Sequence, residues 1–171
     1  MINIRNANCA DSKKLAEVYS VSWSEVYKDI INETSIESET NLEKREKFFD
    51  FLIQNASFRV FTIEKNNERV GVMVVIPENG YDSSSTLIEL VALYIHPDHW
   101  RSGIGTYAIT FLKELYKNDN ADKLEISLLV LSKNISARNF YEKNGFFNTK
   151  TFDNIKFGEQ IKQAVQYKCI I

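Results

Sequence analysis

A nearly unbroken apolar run of strand length starts at Leu87. Leu87, Ile88, Leu90, Val91, Ala92, Leu93, Tyr94 and Ile95 follow with one charge, Glu89, among them. Its length and near-continuity predict a strand covered on both faces. His96-Pro97-Asp98 ends it, because proline cannot donate to a ladder and restricts the residue before it. The period then changes. Ile104, Tyr107, Ala108, Phe111, Leu112, Leu115 and Tyr116 recur at spacings of three and four, which predicts a helix with one face on a sheet. Between strand and helix stand Gly103 and Gly105.

The same patterns organise the rest of the chain. Ile2 to Arg5 alternates as a first strand, and Asn8 is placed to cap a helix in which Leu15, Val18, Tyr19 and Ser22 share a face. Ser22 to Asp29 runs into a polar region, and Glu39 to Asn55 reads as a second helix with Leu42, Phe48, Phe49, Leu52 and Ile53 inward. Phe58–Glu64 and Arg69–Ile76 are expected as strands joined at Lys65-Asn66-Asn67-Glu68, a polar hairpin turn without the favoured Asn-Gly pair. A loop is expected over Glu78–Ser85 and a break over Asn118–Asp122. Leu124–Leu131 forms the strand beside the key one, and Asn134–Asn144 a short helix closed by Gly145. Thr149–Phe152 and Gln163–Ile170 are expected as the last strands, with Asp153–Gln160 between them.

Gly103 and Gly105 let the backbone of Arg101 to Thr106 approach a ligand, and the first turn of the following helix leaves amides unpaired. Those donors and the positive end of the helix dipole suit a phosphate or pyrophosphate. The loop has neither the Lys-Ser/Thr ending of a P-loop nor the third glycine of a dinucleotide fingerprint. Downstream lies a second motif, Asn134-Ile-Ser-Ala137-Arg-Asn-Phe140-Tyr141-Glu-Lys-Asn-Gly145-Phe146.

With strand, loop, helix, strand and short helix in this order, the chain resembles the GCN5-related N-acetyltransferase superfamily, whose loop reads Gln/Arg-x-x-Gly-x-Gly/Ala. The likeness covers the central and C-terminal parts well and the N-terminal part more loosely. It implies one α/β domain over residues 1–171, with a mixed, mostly antiparallel sheet flanked by helices and two central parallel strands that splay apart. The implied activity is transfer of an acetyl group from acetyl coenzyme A to a primary amine. In one respect the chain departs from the pattern: Trp100 stands where the family carries Gln or Arg.

Composition narrows the field. The chain has 171 residues, a length that suits one domain with a real core. Its net charge is −2 and its basic residues are dispersed, which argues against nucleic-acid binding. The N-terminus lacks an apolar core of signal-peptide length and no run is long enough to span a bilayer, so a cytoplasmic protein is expected, away from membranes. Cys9 and Cys169 have no metal-ligand spacing and are expected as reduced thiols; with two histidines, His96 and His99, no metal site is expected.

Three chemical needs of acetyl transfer find candidates. The amides of Arg101, Ser102, Gly103, Ile104, Gly105 and Thr106 would take the coenzyme A pyrophosphate, with Arg101 as a side-chain cation. The resemblance implies that the pantetheine arm pairs with the main chain of Leu93, Tyr94 and Ile95, and with the side chain of Asn134. Glu89, eleven residues before Trp100, stands at the offset where the family's histone acetyltransferases carry a general-base glutamate. A carboxylate in a partly apolar cleft can take a proton from an ammonium, directly or through water. The alternative is a glutamate facing solvent or paired with an arginine. Tyr141 matches the tyrosine that many members use as general acid toward the departing thiolate.

Trp23 and Tyr27 could line an acceptor wall, with Glu25 or Asp29 drawing a cationic amine; equally, the aromatics could be core and the acids solvated. Neither motif holds a Cys or Ser with an attendant base, so direct attack on the thioester is expected. The rival readings are a non-catalytic acyl-coenzyme A sensor or assembly module of the same fold, and a phosphate or nucleotide binder using the loop alone. Homodimers are frequent in the resembled family, so both a monomer and a dimer stay open.

Overall fold

The computed structural model describes residues 1–79, 85–117 and 123–171. The elements are β1 (Ile2–Asn6), α1 (Ser12–Tyr27), α2 (Glu33–Glu39), α3 (Leu42–Gln54), β2 (Arg59–Lys65), β3 (Glu68–Asn79), β4 (Ser85–Ile95), α4 (Ile104–Tyr116), β5 (Lys123–Leu131), α5 (Ile135–Lys143), β6 (Phe147–Phe157) and β7 (Gln160–Ile170). The expected loop at 78–85 and break at 118–122 fall largely outside the described residues.

Seven strands form one sheet in the order β1-β2-β3-β4-β5-β7-β6. Only β4 and β5 run parallel; the other neighbours are antiparallel. The sheet separates two cores. On one face α4 and α5 cover Ile88, Leu90, Ile126, Leu128 and Tyr167. On the other, α1 and α3 cover Val72, Val74, Leu131 and Ala164. Among the described residues no helix is long and apolar enough to cross a membrane.

Local chemistry explains most boundaries. Asn66 and Asn67 turn the β2–β3 hairpin with φ of 52° and 68°, so two asparagines supply the left-handed pair that Asn-Gly normally provides. Asn8 accepts from Ala10 N at the entry to α1, while Asp11 accepts from Asn8 N, a reciprocal cap. Asp11 is fully buried and also holds Arg5 and Arg69, at 2.8 and 2.6 Å, clamping β1 and β3 to the start of α1.

Several expectations shift. Helix α1 continues to Tyr27, because Trp23 and Tyr27 pack against the sheet layer and carry the helix through its polar residues. The short α2, capped by Asn32 on Ser35 N, was not foreseen. Helix α3 begins at Leu42, which is exposed along with Phe48, whereas Phe49 and Leu52 are buried. On α4, Tyr107 and Leu115 face outward and Ile109 is buried instead. Strands β6 and β7 extend through the region expected to separate them and turn at Gly158. Ile155 and Phe157 bring this hairpin back against α1, with the Phe157 and Trp23 rings 5.8 Å apart.

Candidate active site

The parallel pairing of β4 with β5 covers Ser85–Glu89 against Lys123–Ser127 and stops there. Leu90 to Ile95 therefore run on without a partner on the β5 side, and the two strands part. A β-bulge between Val74 and Val75 marks the same level on the other edge of β4. Alternation shows which backbone groups line the gap. His96 N donates to Val70 O of β3 at 2.8 Å, so Tyr94 also spends its groups on β3, and Leu93 and Ile95 turn theirs toward the gap. Of the three main-chain positions expected to hold pantetheine, Tyr94 therefore faces the wrong neighbour.

At the end of this gap sits the glycine loop. Arg101 and Gly103 adopt left-handed backbone, with φ of 57° and 82°. Alternating hand of this kind turns successive N–H groups inward as an anion nest. Helix α4 begins at Ile104 with Gly103 as its N-cap, and no side chain caps it. Among the described residues, the amides of Ile104, Gly105 and Thr106 meet no protein acceptor. Ser102 instead folds its hydroxyl onto His99 O at 2.6 Å. The two glycines have different reasons. Gly103 supplies the positive φ, whereas a Cβ on Gly105 would meet the Phe140 ring at 3.0 Å, so Gly105 lets α4 approach α5.

Across the gap stands α5. Asn134 is buried and caps it, accepting from Ala137 N at 3.1 Å. Tyr141 lies between the rings of Phe140 and Phe146, at 5.2 and 5.5 Å. Burial raises its hydroxyl well above the ordinary phenol range, and the nearby Tyr27 adds to this. The Tyr27 hydroxyl is raised by burial and moderated by hydrogen bonding to Tyr94 and Asn134. Tyr94 is raised furthest, first by burial and then by Tyr27 and Tyr19. Tyr27, Tyr94 and Tyr141, contributed by α1, β4 and α5, lie near enough to influence one another's hydroxyls, and all stay protonated near neutral pH. The sequence points to the main chain of Tyr94 and not to its side chain. Its place in an apolar strand gave no sign that its tip meets other hydroxyls.

Trp23 and Tyr27, both candidates for an acceptor wall, separate. Trp23 is 3 % exposed and belongs to the core, while Tyr27 packs against it with ring centroids 4.6 Å apart and planes tilted by 55°, its hydroxyl near that of Tyr94. Glu25 is exposed and pairs with Lys28.

Glu89 occupies the last paired position of β4, opposite Ser127. Its neighbours Ile88 and Leu90 lie in the core under α4, so its side chain projects from the opposite face, the one α1 covers. There it lines a cleft of 480 Å³ with Leu87, Ser127, Leu129 and Gln166. Glu125, also in this cleft, is held ionised by Lys168 and then by Lys123. Among the described residues Glu89 has no cationic partner.

Residues 18–146 match the sequence model of the Acetyltransferase (GNAT) family. No curated protein matches the chain. Solved structures share its fold across the full length. The PaiA N-acetyltransferase of Thermoplasma acidophilum, in complex with coenzyme A, is 23% identical with a TM-score of 0.76, over 97% of this chain and 98% of that one. A chimeric spermidine N-acetyltransferase SpeG from Vibrio cholerae is 17% identical at a TM-score of 0.67, covering 98% and 94%. A ribosomal-protein-alanine N-acetyltransferase from Brucella melitensis is 16% identical at 0.65, covering 99% of each chain. A strand pair that opens beside an uncapped helix N-terminus, and a family match over most of the sequence, lead to one conclusion: the chain belongs to the GNAT family of acetyltransferases.

Proposed function

We propose that this acetyl-coenzyme A-dependent N-acetyltransferase acts on a primary amine by direct attack, with Glu89 as base and Tyr141 as acid. The observation that carries the reading is the parting of β4 and β5 after the Glu89–Ser127 pair, in line with the unpaired amides of Ile104, Gly105 and Thr106. The residues present fit the cosubstrate. The nest and helix N-terminus suit its diphosphate, and Leu93 and Ile95 offer a strand edge to its amide-bearing arm. Asn134, already capping α5, faces the same opening.

Bound acetyl-coenzyme A supplies the activated acetyl thioester. Glu89 takes a proton from the acceptor ammonium at the cleft, directly or through water, and leaves an amine able to attack. Tyr141, protonated and partly buried, gives a proton to the departing sulfur or hydrogen-bonds it. Tyr27 and Tyr94 hold the opening polar without introducing charge, and Trp23 backs Tyr27. The named acceptors of similar structures differ, spermidine in one and a ribosomal-protein alanine in another, so the acceptor follows from the cleft, not the fold.

Thiol release from acetyl-coenzyme A across a panel of polyamines, amino acids and N-terminal peptides tests this. Amine-dependent release supports it, and tight binding with no release for any amine would favour a non-catalytic module of the same fold. The reading places the enzyme in the cytoplasm. Homodimers are frequent in the family, and light scattering at assay concentration decides between that assembly and a monomer.

A further inference from the structure

We propose that Trp100 is a positioning residue: its indole N–H ties the anion-binding loop to the open edge of β4, fixing how far the diphosphate seat stands from the acetyl end of the gap. The proposal rests on the reading that the gap holds acetyl-coenzyme A.

The argument starts at one carbonyl. Within a peptide unit the C=O and N–H point opposite ways, and His96 N is committed to Val70 O of β3. Ile95 O is therefore turned into the gap. It accepts there from Trp100 Nε1 at 2.6 Å and from Ser22 Oγ of α1 at 2.8 Å. A carbonyl has two lone pairs, so Ile95 O is fully engaged by the protein. The edge left for a ligand is Leu93 N–H, Leu93 C=O and Ile95 N–H.

The other anchors of the loop are internal to it. Trp100 N donates to Pro97 O at 3.0 Å, and Ser102 Oγ donates to His99 O at 2.6 Å. Among these, only the indole bond reaches the strand that borders the gap. Immediately after Trp100 the chain enters the left-handed Arg101 and Gly103 that shape the nest. The ring is 42% exposed, so it is no core element whose burial would explain it. A Gln or Arg at this position would place a flexible side chain where the indole makes a short, rigid strut.

A strut between two seats matters to a ligand that must fill both and little to one that fills a single seat. The experiment compares coenzyme A with 3′-phosphoadenosine diphosphate, which has the diphosphate but no pantetheine arm. Calorimetry on Trp100→Phe should show coenzyme A weakened about fivefold, the worth of one hydrogen bond, with the fragment unchanged within about twofold. KM for acetyl-coenzyme A should rise in parallel while kcat at saturation holds within about twofold. Retained fragment binding also reports that the variant is folded. Equal weakening of both ligands, no change in either, or tighter coenzyme A binding would each overturn the proposal. If the unmodified protein bound neither ligand, the cofactor reading would fall instead.

Discussion

The two sides of the gap are built from different material. The loop side is backbone: three unpaired amides, two left-handed residues and a helix end. The side beneath α1 is made of side chains, namely Glu89, Tyr27 and Tyr94, each delivered by a different turn or strand position. A backbone cradle tolerates change in its side chains, which is how Trp100 can replace Gln or Arg without dismantling it. A side-chain wall does not, and acceptor choice can vary there while the fold stays fixed.

That contrast can be broken at several points. The largest effect is expected for Tyr141→Phe, which should lower kcat about 100-fold while coenzyme A binding changes less than about twofold. An unchanged rate in a stopped thiol assay would hand the acid role to solvent or to Tyr27. Because burial holds the Tyr141 hydroxyl above the ordinary phenol range, the wild-type rate should show no loss from its ionisation up to about pH 10.

Away from the gap, Asp11→Asn should cost about 2 kcal/mol in urea unfolding near neutral pH, since it breaks the clamp with Arg5 and Arg69. Hydrogen bonding to Arg5 holds the Asp11 carboxyl far below its usual range. Its contribution is thus present above about pH 4 and is lost as pH falls toward the folded value, so the two unfolding curves should converge in acid. Constant separation down to pH 2 would mean the clamp is not electrostatic.

Glu89→Gln should reduce kcat about tenfold with the cradle's affinity for coenzyme A intact. An unchanged kcat would retire Glu89 as base. The smallest effect belongs to Gly105→Ala, expected to cost about 1 kcal/mol through the Phe140 ring. Measured in a Phe140→Leu background, the cost of Gly105→Ala should nearly vanish in a thermal melt. An equal cost in both backgrounds would mean that the Phe140 ring is not what Gly105 accommodates.

The sequence by itself determined the parts whose geometry is local. Proline ended β4, positive-φ residues shaped the loop, the 3.6 period placed α4, and Asn134 and Gly145 bounded α5. Each depends on a few neighbouring residues, so a short window suffices. Tertiary structure decided what depends on distant partners. Strand β6 extends to Phe157 because Trp23 receives that ring, and α1 reaches Tyr27 because the sheet gives it something to pack on. Trp23 and Tyr27, adjacent on one helix face, divide because Trp23 meets the Phe157 ring whereas Tyr27 meets Tyr94. The meeting of Tyr27, Tyr94 and Tyr141, and the sealing of Ile95 O by Ser22 and Trp100, join residues up to 114 positions apart along the chain. No periodicity encodes such meetings, because they are set by how a bulged, twisted sheet opens between two packed layers.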